Sequence, residues 1–93
     1  MNALLCRCLV EDYPKWKSVF DSHAAAHREA GLLLLNVWRS VEDPNNVFFL
    51  FDVTDINKAN EFLNSPASAE AGKVSGVLEG EFFFLEHGVQ YED

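Results

Sequence analysis

The 93-residue sequence is short of positive charge. Seven Lys and Arg stand against 15 Asp and Glu, for a net charge of −8 at pH 7, and no basic cluster interrupts that average. Nucleic acid and an anionic membrane surface are therefore excluded as main partners, because both reward cationic patches. Cysteine is scarce too, with Cys6 and Cys8 the only two. They lie two apart in a predicted strand and share a face, so a disulfide between them would distort the strand. Two reduced thiols fit a cytoplasmic protein. No apolar run approaches the ~20 residues of a transmembrane helix. The first ten residues carry Arg7 and no cleavage pattern follows, so no signal peptide is expected. A Gly-rich phosphate loop, a nucleophile elbow and carboxylates at a catalytic spacing are all missing.

Aromatic residues, by contrast, are abundant. Eight Phe and two Trp need burial, and 48% hydrophobic against 24% charged residues is the balance of a globular chain rather than a disordered one. The length allows one domain, residues 1–93. Tyr13 to Gly31 reads as one amphipathic helix. At ~100° per residue, Trp16, Phe20, His23, His27 and Ala30 fall within roughly 40° of a common line. Lys15, Lys17, Ser18, Asp21, Ser22, Arg28 and Glu29 take the far side. Pro14 suits the first turn, Asp12 or Tyr13 the cap, and Gly31 the left-handed stop.

The remaining elements follow from alternation and punctuation. Ala3 to Val10 is a first strand, ended by Glu11 and Asp12. Leu32 to Val41 and Val47 to Thr54 form an antiparallel hairpin around the turn Asp43-Pro44-Asn45-Asn46. Pairing Asp43 with Asn46 sets Trp38 opposite Phe51 and Asn36 opposite Val53. One face then carries Leu32, Leu34, Asn36, Trp38, Phe49 and Phe51, and the other carries Arg39 diagonal to Asp52. Thr54 or Asp55 caps a second helix that Asn64-Ser65-Pro66 interrupts, with further helical turns over Ala67 to Val74. Val77 to His87 holds the last strand, and Gly88 to Asp93 is an acidic tail.

The order is β-α-β-β-α-β, an α+β ferredoxin-like arrangement with a four-stranded antiparallel sheet. Right-handed crossovers place both helices on one face. The other face, roughly 400 Å² at standard strand spacing, is left bare. Every strand alternates apolar with apolar, so that face is hydrophobic, and a second copy of the chain is the expected cover. The partner expected is therefore self, as a homodimer.

This layout resembles the dimeric α/β-barrel superfamily, which includes antibiotic-biosynthesis-monooxygenase-like proteins and muconolactone isomerases. The resemblance rests on the Trp-x-x-x-Phe stripe leading to Gly31, the Asp43 to Asn46 hairpin and the Phe62-Leu63-Asn64-Ser65-Pro66 break. It implies a dimeric α/β barrel with a pocket between sheet and helices. Within that superfamily some members oxidise polycyclic phenols with no cofactor, some degrade haem, some isomerise lactones and some have no known reaction. Cofactor-free members use Asn and Trp in their pockets. Haem-degrading members pair Asn, Trp and a helical His that sits elsewhere in the fold than His23 or His27.

Trp16, His23, His27, Asn36 and Trp38 are the candidate pocket residues. The i, i+4 spacing stacks the two imidazoles on one helix face, where they line the pocket as base, donor or ligand, or pack at the helix–sheet seam. Metal is not expected: His-Ala-Ala-Ala-His lacks the glutamate of the zinc-protease helix and has no third ligand. Asn36 needs partners if buried, and Trp38 serves either a ligand or the core. Arg39 with Asp52, and Arg7, read as interface or surface ion pairs. Glu79, Glu81, Glu86 and His87 read as charges that guard an edge strand. Two functions remain open from sequence. One is a cofactor-independent enzyme, monooxygenase- or isomerase-like, acting on a small apolar or aromatic molecule. The other is a non-catalytic ligand-binding or assembly protein of the same fold.

Overall fold

The computed structural model describes residues 2–89 and 91, so the end of the expected acidic tail lies outside the described residues. Eight elements run in order: β1 (Asn2–Val10), α1 (Tyr13–Ser22), α2 (Ala24–Glu29), β2 (Leu32–Arg39), β3 (Asn46–Val53), α3 (Ile56–Leu63), α4 (Pro66–Ser75) and β4 (Val77–Glu86). The sheet is antiparallel in the order β2-β3-β1-β4. That is the ferredoxin-like order expected from the chain, with β2 and β4 at the edges. No helix among the described residues is long and apolar enough to cross a membrane.

One sheet face carries the core. Leu4, Cys6, Cys8 and Val10 of β1 and Val47, Phe49, Phe51 and Val53 of β3 are buried beneath the helices. Trp16 is the buried residue of α1, at 3% exposure, and stacks on Phe20 with centroids 4.6 Å apart. Both rings reach Phe49, at 5.4 and 5.0 Å. Aromatic pairs of this kind add ~0.5–1.5 kcal/mol each beyond their buried area. The stripe read from the sequence therefore faces the sheet.

The helix itself is not continuous. It breaks at His23, which closes α1 and opens α2. The cause is competition for one carbonyl. Ser22 Oγ donates to the Val19 oxygen at 2.6 Å, and His23 Nδ1 reaches the same oxygen at 2.8 Å. The His23 amide, which a regular helix would aim there, donates instead to Phe20 at 3.1 Å. The turn tightens, as Ser side chains that bond back to the backbone make it do.

The hairpin departs from the expected pairing in two ways. The loop is longer, because Ser40 N donates to Asn46 O at 2.9 Å, so the Asp43 to Asn46 turn stands beyond the ladder. Trp38 accordingly faces Phe48 rather than Phe51, and Asn36 faces Leu50 rather than Val53. A β-bulge also falls at Leu35, with Leu34 opposite Phe51 and Asn36 opposite Leu50. One extra residue reverses the alternation beyond it. Val37 and Arg39 therefore join Leu32 on the helix side, while Asn36 and Trp38 turn to the open face. The expected Arg39–Asp52 pair does not form. Arg39 lies 3.8 Å over the Tyr13 ring and donates to Pro44 O, and Asp52 meets His87 at 3.1 Å. Arg7 does pair with charges of the last strand, Glu79 at 3.4 Å and Glu81 at 3.1 Å.

Caps fix the remaining helix ends. Asp12 accepts from Lys15 N, Asp55 from Asn57 N and Lys58 N, and Ser65 from Ser68 N ahead of Pro66. Gly31 and Gly76 take the left-handed turn after α2 and α4, at φ 77° and 81°. A Cβ at Gly31 would lie 2.9 Å from Thr54 Oγ1, whereas Gly72 has open space around it. Gly31→Ala should therefore lower stability by ~1–3 kcal/mol, read as a fall of several degrees in melting temperature. Gly72→Ala should raise it by ~0.5–1 kcal/mol, because an unstrained helical position gains from the added methyl group.

Candidate functional site

Two interrupted helical layers lie over a pleated sheet and leave a cavity of about 140 Å³ between them. Its floor is Cys6 and Cys8 of β1, Phe49 and Phe51 of β3 and Phe82 of β4. Its roof and walls are Trp16, Val19, Phe20 and His23 from α1 and its junction, His27 from α2, Phe62 and Leu63 from α3, and Ser68, Ala71, Gly72 and Ser75 from α4. Among the described residues no Lys, Arg, Asp or Glu contributes to the lining.

The break at His23 decides what the two imidazoles do. His23 is held by its own helix: a carbonyl only accepts, so Nδ1 donates to Val19 O at 2.8 Å, and a neutral His23 then carries its lone pair on Nε2. His27 is held by packing. Its ring sits among Phe20, Phe51 and Phe62, with centroids 5.0, 5.2 and 5.7 Å away. Among the described residues it makes no ring hydrogen bond, yet no buried side-chain nitrogen or oxygen is sealed off without a partner. Its ring lines the cavity, and its nitrogens are not sealed off from open space. Burial, with a smaller contribution from nearby His23, pushes His27 down to about 4. At neutral pH it is an uncharged imidazole with a free lone pair.

The two thiols beneath are inert by the same physics. Burial pushes Cys6 up, with Cys8 adding to it, and pushes Cys8 up to about 11 against an opposing pull from Arg7. Both stay protonated at neutral pH and are poor nucleophiles. Both are free. Ser75 donates to Gly72 O at 3.1 Å, so its hydroxyl is committed to the helix. Among the described residues no three His, Cys, Asp or Glu side chains converge as a metal site would require.

Of the five residues singled out from sequence, the structure brings together Trp16, His23 and His27. Asn36 and Trp38 lie on the opposite face of the sheet, turned there by the bulge at Leu35, and Trp38 is 46% exposed. The thiols, Phe82 and the small-residue side of α4 were not anticipated as lining. Alternation does put Cys6 and Cys8 on one face, but only the packing tells which face the helices cover.

The His27 environment gives a pH prediction. The unfolded chain takes up the His27 proton near 6.5 and the folded chain only near 4. Between those values the unfolded state binds the extra proton, so stability present above pH 6.5 is lost as pH falls toward 4. After allowance for partial solvent contact the loss is ~1–2 kcal/mol. Urea unfolding at pH 7 and 4.5 should show a larger drop for wild type than for His27→Leu. The His27 ring resonances should titrate with a midpoint near 4. A midpoint at the ordinary value would show the ring to be solvated.

No family model matches the chain, and no curated protein does. Solved structures nevertheless superpose over nearly its whole length. SnoaB, a cofactor-independent oxygenase from Streptomyces nogalater studied as a point mutant, is 17% identical with a TM-score of 0.75, over 99% of this chain and 97% of that one. A candidate antibiotic biosynthesis monooxygenase from Deinococcus radiodurans is 16% identical with a TM-score of 0.72, over 100% and 98%. A NIPSNAP domain protein from Burkholderia xenovorans is 14% identical with a TM-score of 0.69, over 100% of both chains. At such identities the likeness is one of fold: the chain has the ferredoxin-like α+β fold of the antibiotic-biosynthesis-monooxygenase-like proteins.

Proposed function

We propose that this chain is a cytoplasmic homodimeric enzyme that acts, without a bound cofactor, on a small aromatic or apolar molecule held in the helix–sheet cavity. The observation that carries the reading is His27, an uncharged imidazole with no ring partner among the described residues, facing an open aromatic cavity. Such a group accepts a hydrogen bond or a proton from a ligand in surroundings that exclude most water. Taking a proton from a hydroxyarene makes the ring electron-rich enough to reduce dioxygen, forming a ring carbon–oxygen bond as a hydroperoxide whose O–O bond then breaks with loss of water to leave the quinone. Isomerisation needs only the proton transfer. At about 140 Å³ the cavity is well below the ~300 Å³ at which drug-sized ligands begin to fit, which favours chemistry carried by the substrate over a bulky organic cofactor. The likeness to SnoaB, a cofactor-independent oxygenase, supports the same class. A route through a pocket Asn and Trp is not supported, because Asn36 and Trp38 face away from the cavity.

The open sheet face supports the dimer. Phe48, Leu50 and Ala3 are flanked there by Leu33, Trp38, Phe83 and Leu85, all four nearly half exposed. An apolar strip across four strands is abnormal on a lone small domain. Sedimentation should give about twice the 10.5 kDa chain mass. Trp38→Asp should dissociate the dimer with the fold retained. Val37→Asp should unfold the chain instead, because Val37 pairs with Phe49 on the helix side and an unpaired charge there has no water. A wild-type monomer at micromolar concentration would remove the dimer from the proposal.

One observation favours a second reading, passive binding of the same ligand. A base held near 4 is a weak proton acceptor at neutral pH, where the best general base lies near 7. Trp38→Phe leaves Trp16 as the single cavity reporter. Quenching of its fluorescence by an aromatic ligand measures binding, and an oxygen electrode with electron-rich hydroxyarenes measures turnover. Uptake that falls at least tenfold in His27→Ala is the enzyme result. Binding with no uptake and no isomerised product is the passive result.

A further inference from the structure

We infer that the cavity selects a single-ring, neutral hydroxyarene, of which phenol is the parent, and takes its hydroxyl onto the His27 imidazole. The inference rests on the cavity's being a ligand site, as proposed above, and narrows what that ligand is.

Size sets the first limit. The cavity holds about 140 Å³. An apolar protein cavity of ~150 Å³ accepts one benzene ring, so one ring fills this partly open space and a second fused ring must project from its mouth or move a wall. Polarity sets the second limit. The rings of Phe20, Phe51 and Phe62 surround His27 on three sides, so its immediate surroundings are apolar, with the Trp16 indole, the thiols and the Ser68 and Ser75 hydroxyls elsewhere on the lining. His23 is tied to Val19 O through Nδ1, and His27 is untied. The unpaired acceptor at His27 rewards a ligand that donates there. It penalises one that only accepts, because two acceptors face each other without a proton between them. Charge sets the third limit. Among the described residues no Lys or Arg lines the cavity, and the chain carries −8, so a carboxylate would be desolvated with no cationic side chain to offset it. A ring ammonium would likewise find no carboxylate.

A second groove, lined by Phe20, His27, Leu32 and Leu34 among others, adjoins the first along the β2 edge. Phe20, His27 and Leu32 belong to both. These three side chains stand between the two spaces, and a ligand spanning both would have to displace them. The single-ring limit is therefore a statement about a wall of identified residues.

Calorimetric and nitrogen-resolved NMR titrations of the intact protein with phenol, toluene, benzoate and 2-naphthol test all three limits. Phenol should saturate and shift the His27 ring nitrogens. It should bind at least as tightly as toluene, its near-isostere, although its hydroxyl must first be stripped of water. Benzoate should not bind, and 2-naphthol should bind at least tenfold more weakly than phenol. His27→Leu should weaken phenol on the order of tenfold and leave toluene within about twofold. Should that variant fail to fold, the wild-type series and the His27 shifts still decide. Tighter binding of 2-naphthol overturns the single-ring limit while leaving the ligand site intact. Tighter binding of toluene or benzoate than of phenol, or phenol binding unchanged in His27→Leu, overturns the hydroxyl assignment. Binding by none of the four overturns the inference and the ligand site together.

Discussion

A sheet that is apolar on both faces, in a chain with helix enough for only one, is the constraint from which the rest follows. In β1 the pleat sends Leu4, Cys6 and Cys8 one way and Ala3, Leu5 and Leu9 the other. In β3 it separates Val47, Phe49, Phe51 and Val53 from Phe48 and Leu50. Both crossovers are right-handed, so both helical layers arrive on the same side. They bury that side around Trp16 and leave the other half exposed. The covered side holds the cavity and the bare side keeps an exposed apolar face, a division that follows from the topology.

Within the covered side, the cavity exists because neither helical layer is one straight rod. The first breaks where Ser22 and His23 take the Val19 carbonyl, and the second where Asn64, Ser65 and Pro66 end α3 and start α4. Each break lets the chain follow the twisted sheet and holds side chains apart that a continuous helix would press together. The same hydrogen bond that breaks the first layer fixes His23 and leaves His27, one turn on, to packing alone. Two identical side chains four residues apart thus acquire different roles: one closes a turn and the other faces open space.

Much of this is legible in the sequence, and the rest is hidden for definite reasons. The stripe through Trp16, Phe20, His23 and His27 is readable because helical periodicity depends only on spacing. Element order and the left-handed stop at Gly31 are readable for the same reason: each is a local signal. The positions of Asn36 and Trp38 are not. Both faces of β2 are apolar on either side of the bulge, so the residues on β2 carry no mark of where alternation reverses. Leu35 is a Leu among Leu. Hairpin register failed likewise, because Ser40, a neutral-looking residue, closes the loop through its amide and caps Asp43 through its hydroxyl. The break at His23 needed two side chains to compete for one oxygen, a local event that periodicity averages away. A site reading built on faces inherits every such reversal, which is why the helix residues of the candidate set came together and the strand residues did not.

The electrostatics of the covered side are the converse of the surface. Outside, carboxylates outnumber cations two to one. Inside, the lining among the described residues has neither, and burial holds Cys6 and Cys8 as thiols and His27 as imidazole. One cause, loss of water, moves the thiols up and the imidazole down, because the charged form is the anion in one case and the cation in the other. The lone pair that results on His27 is the most available polar feature of the cavity. It is available only because the aromatic rings around it offer no donor. The aromatic content that first looked like material for a core is thus also what keeps His27 uncharged and unpartnered. A hydrogen-bonding side chain in place of one of those rings would offer the imidazole a partner within the chain.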